Sequence, residues 1–256
     1  EKKTEKGGQE TLVDCPLCHK EKHFSYNRQK PVWRCWSCGE SGDWIDFLEK
    51  TKGYDFSQAL HELASAAGVE LSPQSQQAYQ DYTKKADILE AAQAYFMDIF
   101  HDDFSDSSKE VFNYAFNERG YEWDDIYAME LGAYVDRQAL LEKLMSSGYT
   151  EQEIRDTGLL TKDLGEVHKL TLLWRDAAGR AIGIAARALI SDDELKERGL
   201  PKYKYSYGLK RDAGLIGFSS VRGSEQLVLL EGVLDALYLN FKGFKSVAIG
   251  GTELST

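Results

Sequence analysis

The chain has 256 residues, room for one to two domains, with the apolar content of an ordinary globular protein and a formal net charge of −11. No apolar run reaches the roughly 18 residues of a membrane span. The charged opening EKKTEKGGQE also lacks the hydrophobic stretch of a signal peptide. A cytoplasmic location is therefore the default expectation, and the missing initial Met points to a processed or trimmed N-terminus. The acidic balance excludes a protein that coats nucleic acid through its overall field. Any such binding needs a local basic patch and a second contact.

Cysteine usage is confined to Cys15, Cys18, Cys35 and Cys38. Two Cys-x2-Cys pairs with no sign of export point to metal rather than disulfides. A Cys-x2-Cys turn sets two sulfurs on one edge of the tetrahedron that Zn²⁺ prefers, and the chain between the pairs returns as a hairpin. Pro16 and Gly39 suit the tight knuckles. His19 and His23 are rival ligands, but four thiolates already fill a structural zinc sphere. So small a segment has little core, so the metal supplies much of its folding energy. Phe24, Tyr26, Trp33, Trp36 and Trp44 are interleaved with Lys22, Arg28, Lys30 and Arg34. Part of this set makes the small core, and part is free for unpaired bases and phosphates. Lys22, Arg28, Arg34 and Trp33 are the candidates for the nucleic-acid side.

Two helices follow, over Trp44 to Thr51 and Phe56 to Ala67. In the second, Ala59, Leu60, Leu63, Ala64 and Ala67 recur at helical spacing, Asp55 is placed to cap the start and Gly68 to stop the end. The polar stretch SPQSQQ, Ser72 to Gln77, has the composition of a linker. Beyond it, Ile88, Ala91, Ala92, Tyr95, Phe96 and Ile99 form an apolar helical face. Helical patterning continues through KEVFNYAFNERGY to Gly120, then over Trp123 to Met129, Arg137 to Ser146 and Glu151 to Thr157. From Val167 the period changes to two. Leu170, Leu172 and Trp174 alternate, Asp176 to Gly179 is a turn, and Ala181 to Leu189 resumes extended structure as a hairpin. Gln226 to Leu230 has the run of a buried parallel strand. A helix over Gly232 to Phe241, a strand over Ser246 to Ile249 and a tight Gly250, Gly251, Thr252 loop complete one β-α-β unit.

The block CPLC…WRCWSCGESGDWIDFLEK resembles the zinc-binding domain of bacterial and phage DnaG-type primases. Cys18 replaces the His usual in the bacterial proteins, which changes a ligand and leaves the role. WRDAAGRAIGIAARAL resembles the family's Gly-Arg-x-Ile-Gly hairpin, with Arg187 at the basic-groove arginine and Ala185 and Ala186 in place of glycines. PKYKYSY and LKRDAGLIGF resemble its paired lysine motifs, with Lys202 and Arg211 at the matching positions and Tyr205 in place of Asn. Lys169, in VHKLTLLW, matches a further basic position loosely. LVLLEGVLDAL places Glu231 at the glutamate of Toprim folds and Asp235 at the next acid, followed by IGGTELS for the family's loop.

The resemblance implies an α+β chain of two domains. Residues 1–71 make a zinc-ribbon DNA-binding domain and 72–77 a linker. Residues 78–222 make the N-terminal subdomain of the RNA-polymerase domain, and 223–256 the start of a Toprim subdomain. The implied activity is DNA-templated synthesis of short RNA primers, with one structural Zn²⁺ and catalytic Mg²⁺. Glu231 and Asp235 would serve the metal, and Arg187, Lys202 and Arg211 the phosphates. Lys204, Lys210 and Lys169 would join the ribbon cations on nucleic acid. Implied partners are a single-stranded DNA template, ribonucleoside triphosphates and a replicative helicase, with no membrane. Because the sequence stops before the family's Asp-x-Asp, the expectation for this chain alone is an incomplete metal site and little or no polymerase activity. The competing readings are a non-catalytic zinc-ribbon replication module and another Toprim enzyme, a nuclease or topoisomerase.

Overall fold

The computed structural model describes residues 2–249 apart from 5–7, 28–30, 53, 55, 72, 103–105, 135, 161–163, 177–178, 210–214, 222–223 and 225. The chain divides into two compact units, residues 1–82 with 222–225, and residues 83–221 with 226–256.

In the first unit five short strands form an antiparallel meander in chain order: β1 (Lys2–Thr4), β2 (Gly8–Val13), β3 (Phe24–Asn27), β4 (Val32–Cys35) and β5 (Ser41–Asp43). Helices α1 (Trp44–Lys52) and α2 (Phe56–Ala67) follow. The Asp43 side chain caps α1 by accepting from the N–H groups of Ile45 and Asp46 at 2.8 and 3.0 Å. Helix α2 closes at Gly68 as expected, with the Val69 N–H donating to the Ala64 carbonyl at 2.8 Å. Asp55, its expected N-cap, lies outside the described residues.

Residues 73–77, expected as linker, are instead the first turns of α3 (Pro73–Asp102). Pro73 takes the first helical position, where its missing N–H costs nothing and its fixed φ is already helical. Ser72 lies outside the described residues. The division between the units falls at Tyr82–Thr83, inside this helix.

The second unit continues with α4 (Asp106–Phe112), a π-helical turn (Asn113–Glu118), α5 (Trp123–Ala128), β6 (Gly132–Ala133), α6 (Arg137–Ser146) and α7 (Glu151–Asp156). Next come β7 (His168–Arg175), β8 (Ala181–Ala188), α8 (Asp192–Glu197), β9 (Tyr203–Tyr205), α9 (Phe218–Val221), β10 (Val228–Leu230), α10 (Val233–Phe241) and β11 (Ser246–Ala248). Strands β6, β7, β8 and β9 form one antiparallel sheet in that order. Its two faces bury separate cores. Leu170, Leu172, Trp174 and Ala185 pack with Val233, Leu234 and Ala236 of α10, together with Ile126 and Met129. Leu173, Ile184 and Ala186 pack on Ile88, Leu89, Ala92 and Phe96 of α3, with Leu140, Leu144 and Ile154 of α6 and α7. The period-two pattern of the hairpin is thus a sheet buried on both sides.

Strands β10 and β11 pair in parallel, as the β-α-β pattern predicts. The expected burial of β10 is not found, since Val228 and Leu229 are 47% and 46% exposed. The reason is its edge position: β11 lies between β10 and an antiparallel bridge to Ile216, and β10 has no second neighbour among the described residues.

The segment after β9 is held by a glycine. Gly158 has φ +76°, and a Cβ there would lie 2.3 Å from the Tyr207 carbonyl oxygen and 2.4 Å from its nitrogen. Its own carbonyl accepts from the Tyr207 N–H at 3.1 Å. Gly148 has φ +99° with open space around the missing Cβ. Gly148→Ala should therefore cost only the left-handed strain, roughly 1 kcal/mol. Gly158→Ala adds a backbone clash and should cost roughly 3 kcal/mol or more. Urea unfolding of the two variants measures the difference, and equal losses would contradict the packing described.

Candidate metal centre and candidate active site

The two cysteine pairs sit on equivalent knuckles. After β2, the Cys15 carbonyl accepts from the His19 N–H at 2.9 Å and the Cys15 N–H donates to the Lys20 carbonyl at 3.0 Å. After β4, the Cys35 carbonyl accepts from the Gly39 N–H at 3.1 Å and the Cys35 N–H donates to the Glu40 carbonyl at 2.7 Å. His19 and Gly39 occupy the same left-handed position, φ 58° and 79°. His19 is therefore a knuckle residue. His23 turns Nδ1 to the Glu21 carbonyl at 2.7 Å. Neither belongs to the four-sulfur cluster, whose Sγ atoms lie within 4.8 Å of one another.

All four cysteines are free thiols. Cys18 and Cys35 Sγ are 3.7 Å apart. A tetrahedron with Zn–S of about 2.3 Å has edges of about 3.8 Å, so the spacing fits Zn²⁺. Burial pushes the Cys35 thiol up, but the N–H groups of Cys38 and Ser37 and the neighbouring sulfurs bring it down to about 7. Burial, reinforced by the other three sulfurs, pushes Cys38 up to about 12. Four thiolates this close need a cation to coexist. Zn²⁺ would be held by these four sulfurs and would tie β2–β3 to β4–β5.

The ribbon aromatics divide sharply. Trp33 is 2% exposed, stacks on Phe24 at 5.2 Å, meets Phe47 edge-on at 5.9 Å and donates Nε1–H to the Asp43 carbonyl at 2.5 Å. This corrects the expectation that Trp33 faces nucleic acid: it is the centre of the ribbon core. Trp36 is the outward ring, 54% exposed. The Arg34 guanidinium lies 4.2 Å from its centroid, and its Nε1–H donates to Ser25 Oγ at 3.2 Å. Lys22 is exposed on the turn after the first knuckle. Arg28 lies outside the described residues.

In the second unit a cleft of about 530 Å³ gathers Arg187, Lys202, Glu231 and Asp235, four of the five expected catalytic side chains. The fifth, Arg211, lies outside the described residues, as do Lys210, Gly250, Gly251 and Thr252. Glu231 stands exposed at the carboxyl end of β10, where α/β folds place their sites. It has no hydrogen-bond or ion-pair partner among the described residues. Gly232 caps α10 without a side-chain bond, so the partial positive charge of that helix start borders the cleft.

The expected cation cluster is only partly assembled. In the β8–β9 register Arg187 faces Tyr203 and Ala185 faces Tyr205, while Lys204 pairs with Ala186. Strand alternation therefore turns Lys204 to the opposite face. Lys169 is 2.7 Å from Glu110 and 14% exposed, so its charge is already matched, and it does not line the cleft. Ala185 and Ala186 are fully buried, one methyl in each core, so neither meets a substrate.

Tyr203 and Tyr205, which stand in the PKYKYSY block, also line the cleft, as do Arg119 and Tyr114, which no motif in the sequence marks. Arg119 follows the π turn, its N–H donating to the Tyr114 carbonyl at 3.0 Å. The guanidinium bonds Tyr121 Oη at 3.1 and 3.2 Å and pairs with Asp235. Burial lowers the Arg119 pKa, but the Tyr121 hydroxyl and the Asp235 carboxylate outweigh it and raise it overall. Burial pushes the Tyr203 phenol up to about 12, with Arg187 pulling against it. Two carboxylates, three cations and a helix start in one cleft suit a polyphosphate accompanied by a divalent cation.

Residues 2–80 match the CHC2 zinc finger family. The DNA primase of Clostridium acetobutylicum is 28% identical over 257 aligned residues, covering 94% of this chain and 41% of that protein. That of Deinococcus radiodurans is also 28% identical, covering 94% and 42%. The chain thus spans about two fifths of the curated relatives it matches. The crystal structure of the zinc-binding and RNA-polymerase domains of Aquifex aeolicus primase superposes with a TM-score of 0.52 at 23% identity, over 98% of this chain and 62% of that one. The RNA-polymerase domain of Mycobacterium tuberculosis primase, solved with a DNA duplex carrying a 6-nucleotide overhang, gives 0.55 at 22% identity, over 68% and 56%. The fold is that of a zinc ribbon joined to a primase core. The chain is similar to DNA primases over their zinc-binding domain and part of their RNA-polymerase domain.

Metal analysis should find about one zinc per chain, and Cys35→Ser with Cys38→Ser should abolish it. Because the thiols must lose protons to bind, affinity should fall steadily as pH is lowered, with protons released on binding at neutral pH. Competition with a chromophoric chelator across pH measures this, and a pH-independent affinity would contradict four-thiolate ligation.

Proposed function

We propose that this chain serves DNA-templated synthesis of short RNA primers, the ribbon engaging single-stranded template and the cleft holding a ribonucleoside triphosphate. The observation that carries the reading is the meeting of Glu231, Asp235, Arg187 and Lys202 in one cleft. Lys202 and Arg187 bind and orient the triphosphate. The start of α10 adds its dipole to the same anion. Glu231 and Asp235 are the residues that would hold Mg²⁺, which when bound neutralises the leaving pyrophosphate and activates the attacking hydroxyl. Since Asp235 is paired with Arg119, Glu231 alone has a free carboxylate in the described cleft. A replicative helicase is the further partner that the relationship implies.

On the ribbon, Trp36 with Arg34 forms a rigid platform on which an unpaired base can stack. Arg34 and Lys22 supply phosphate contacts within an acidic chain. Trp36→Ala is expected to weaken single-stranded DNA binding roughly tenfold, from one lost base stack, with zinc content unchanged. Trp33→Ala should instead unfold the ribbon. Fluorescence anisotropy with a labelled oligonucleotide decides between platform and core. Wild-type affinity in a Trp36→Ala protein would remove Trp36 from the template surface.

A further inference from the structure

The cations of the cleft differ in what matches their charge. Arg119 is paired with Asp235, and Lys202 is 3.2 Å from Asp192. Arg187 has no carboxylate partner among the described residues. What surrounds it is aromatic: its guanidinium carbon lies 4.9 Å from the Tyr114 ring centroid and 5.5 Å from that of Tyr203. Its Nε is buried without a hydrogen-bond acceptor. Arg187 is half-buried, and a buried, unused N–H on a cation without counter-charge is costly unless an anion arrives. Ring faces attract the cation and help fix its plane, and the Nε–H stays unused.

The two rings come from elements that share no sequence pattern. Tyr203 lies on β9 directly opposite Arg187 of β8. Tyr114 lies in the π turn, is 7% exposed and has a buried hydroxyl without a partner. That hydroxyl does nothing for the fold that a phenyl ring would not do. The ring itself is what the site uses.

We propose that Tyr114 and Tyr203 are positioning residues that clamp the Arg187 guanidinium between their rings and hold it ready for the polyphosphate of a bound nucleotide. This inference rests on the reading of the cleft as a triphosphate site. The clamp fixes the guanidinium before the ligand binds, so ordering costs are not deducted from affinity. An ammonium group in the same place would keep the charge and lose the planar fork.

The test is isothermal titration of the whole chain with inorganic tripolyphosphate at low ionic strength, using a double-mutant cycle. Arg187→Ala should weaken binding at least tenfold. Tyr114→Leu and Tyr203→Leu should each weaken it roughly three- to tenfold, the range of a cation–π contact. Tyr114→Phe should bind like wild type. In the Arg187→Ala background Tyr114→Leu should cost nothing further, because the clamp then has nothing to hold. A Tyr114→Leu loss of equal size in both backgrounds would mark a structural role and overturn the proposal, as would wild-type affinity in both leucine variants. Should Tyr114→Leu not fold, Tyr203→Leu in the two backgrounds gives the same comparison. Absence of tripolyphosphate binding by the wild type, or full affinity in Arg187→Ala, would instead remove the triphosphate reading itself.

Discussion

The register of β8 against β9 decides which cations reach the cleft. Pairing Arg187 with Tyr203, and Ala186 with Lys204, fixes one face for the site and the other for the α3 core. A one-residue slip of β9 would set Lys204 opposite Arg187, turning it into the cleft and Tyr203 and Tyr205 away from it. Trp174 holds this register. It is fully buried on β7 and meets Tyr205 edge-on at 5.6 Å. The sheet is therefore both the core of the second unit and the ruler that sets the spacing of its charged groups.

Charge matching then sorts the basic side chains further. Lys169 and Lys202 each face a carboxylate, and Arg119 takes Asp235. In a chain of net charge −11 most cations are expected to find an acid nearby. Arg187 is held by rings, with no acid partner among the described residues, which on the proposed reading leaves it open to an external anion. The same contrast appears in the ribbon, where Trp36 keeps Arg34 at its face while Trp33 closes the core.

Much of this was legible in the sequence because the signals were local. The Cys-x2-Cys spacing gave four ligands, alternation of Leu170, Leu172 and Trp174 gave the hairpin, and the run ending at Glu231 gave a strand with its carboxylate at the carboxyl end. What was not legible depends on three dimensions. Composition could not say which ribbon tryptophan faces outward, because both lie in the same aromatic cluster. The π turn over Asn113–Glu118 has no period that separates it from an α-helix, so Arg119 and Tyr114 gave no warning of reaching the cleft. Residues 73–77 are polar enough for a linker, yet Pro73 starts a helix there. Lys204 sits beside true cleft residues in sequence and on the opposite face in space.

The central claim is that this cleft takes a ribonucleotide beside Glu231 and Arg187. Photolabelling of the chain with an azido-adenosine triphosphate, followed by peptide mapping, tests it most directly. The account predicts labelling within the peptides that carry Tyr114, Tyr203 or Tyr205, competed by unlabelled ribonucleoside triphosphates and lost in Arg187→Ala. Labelling confined to the ribbon, or labelling of the cleft that survives Arg187→Ala, would contradict it.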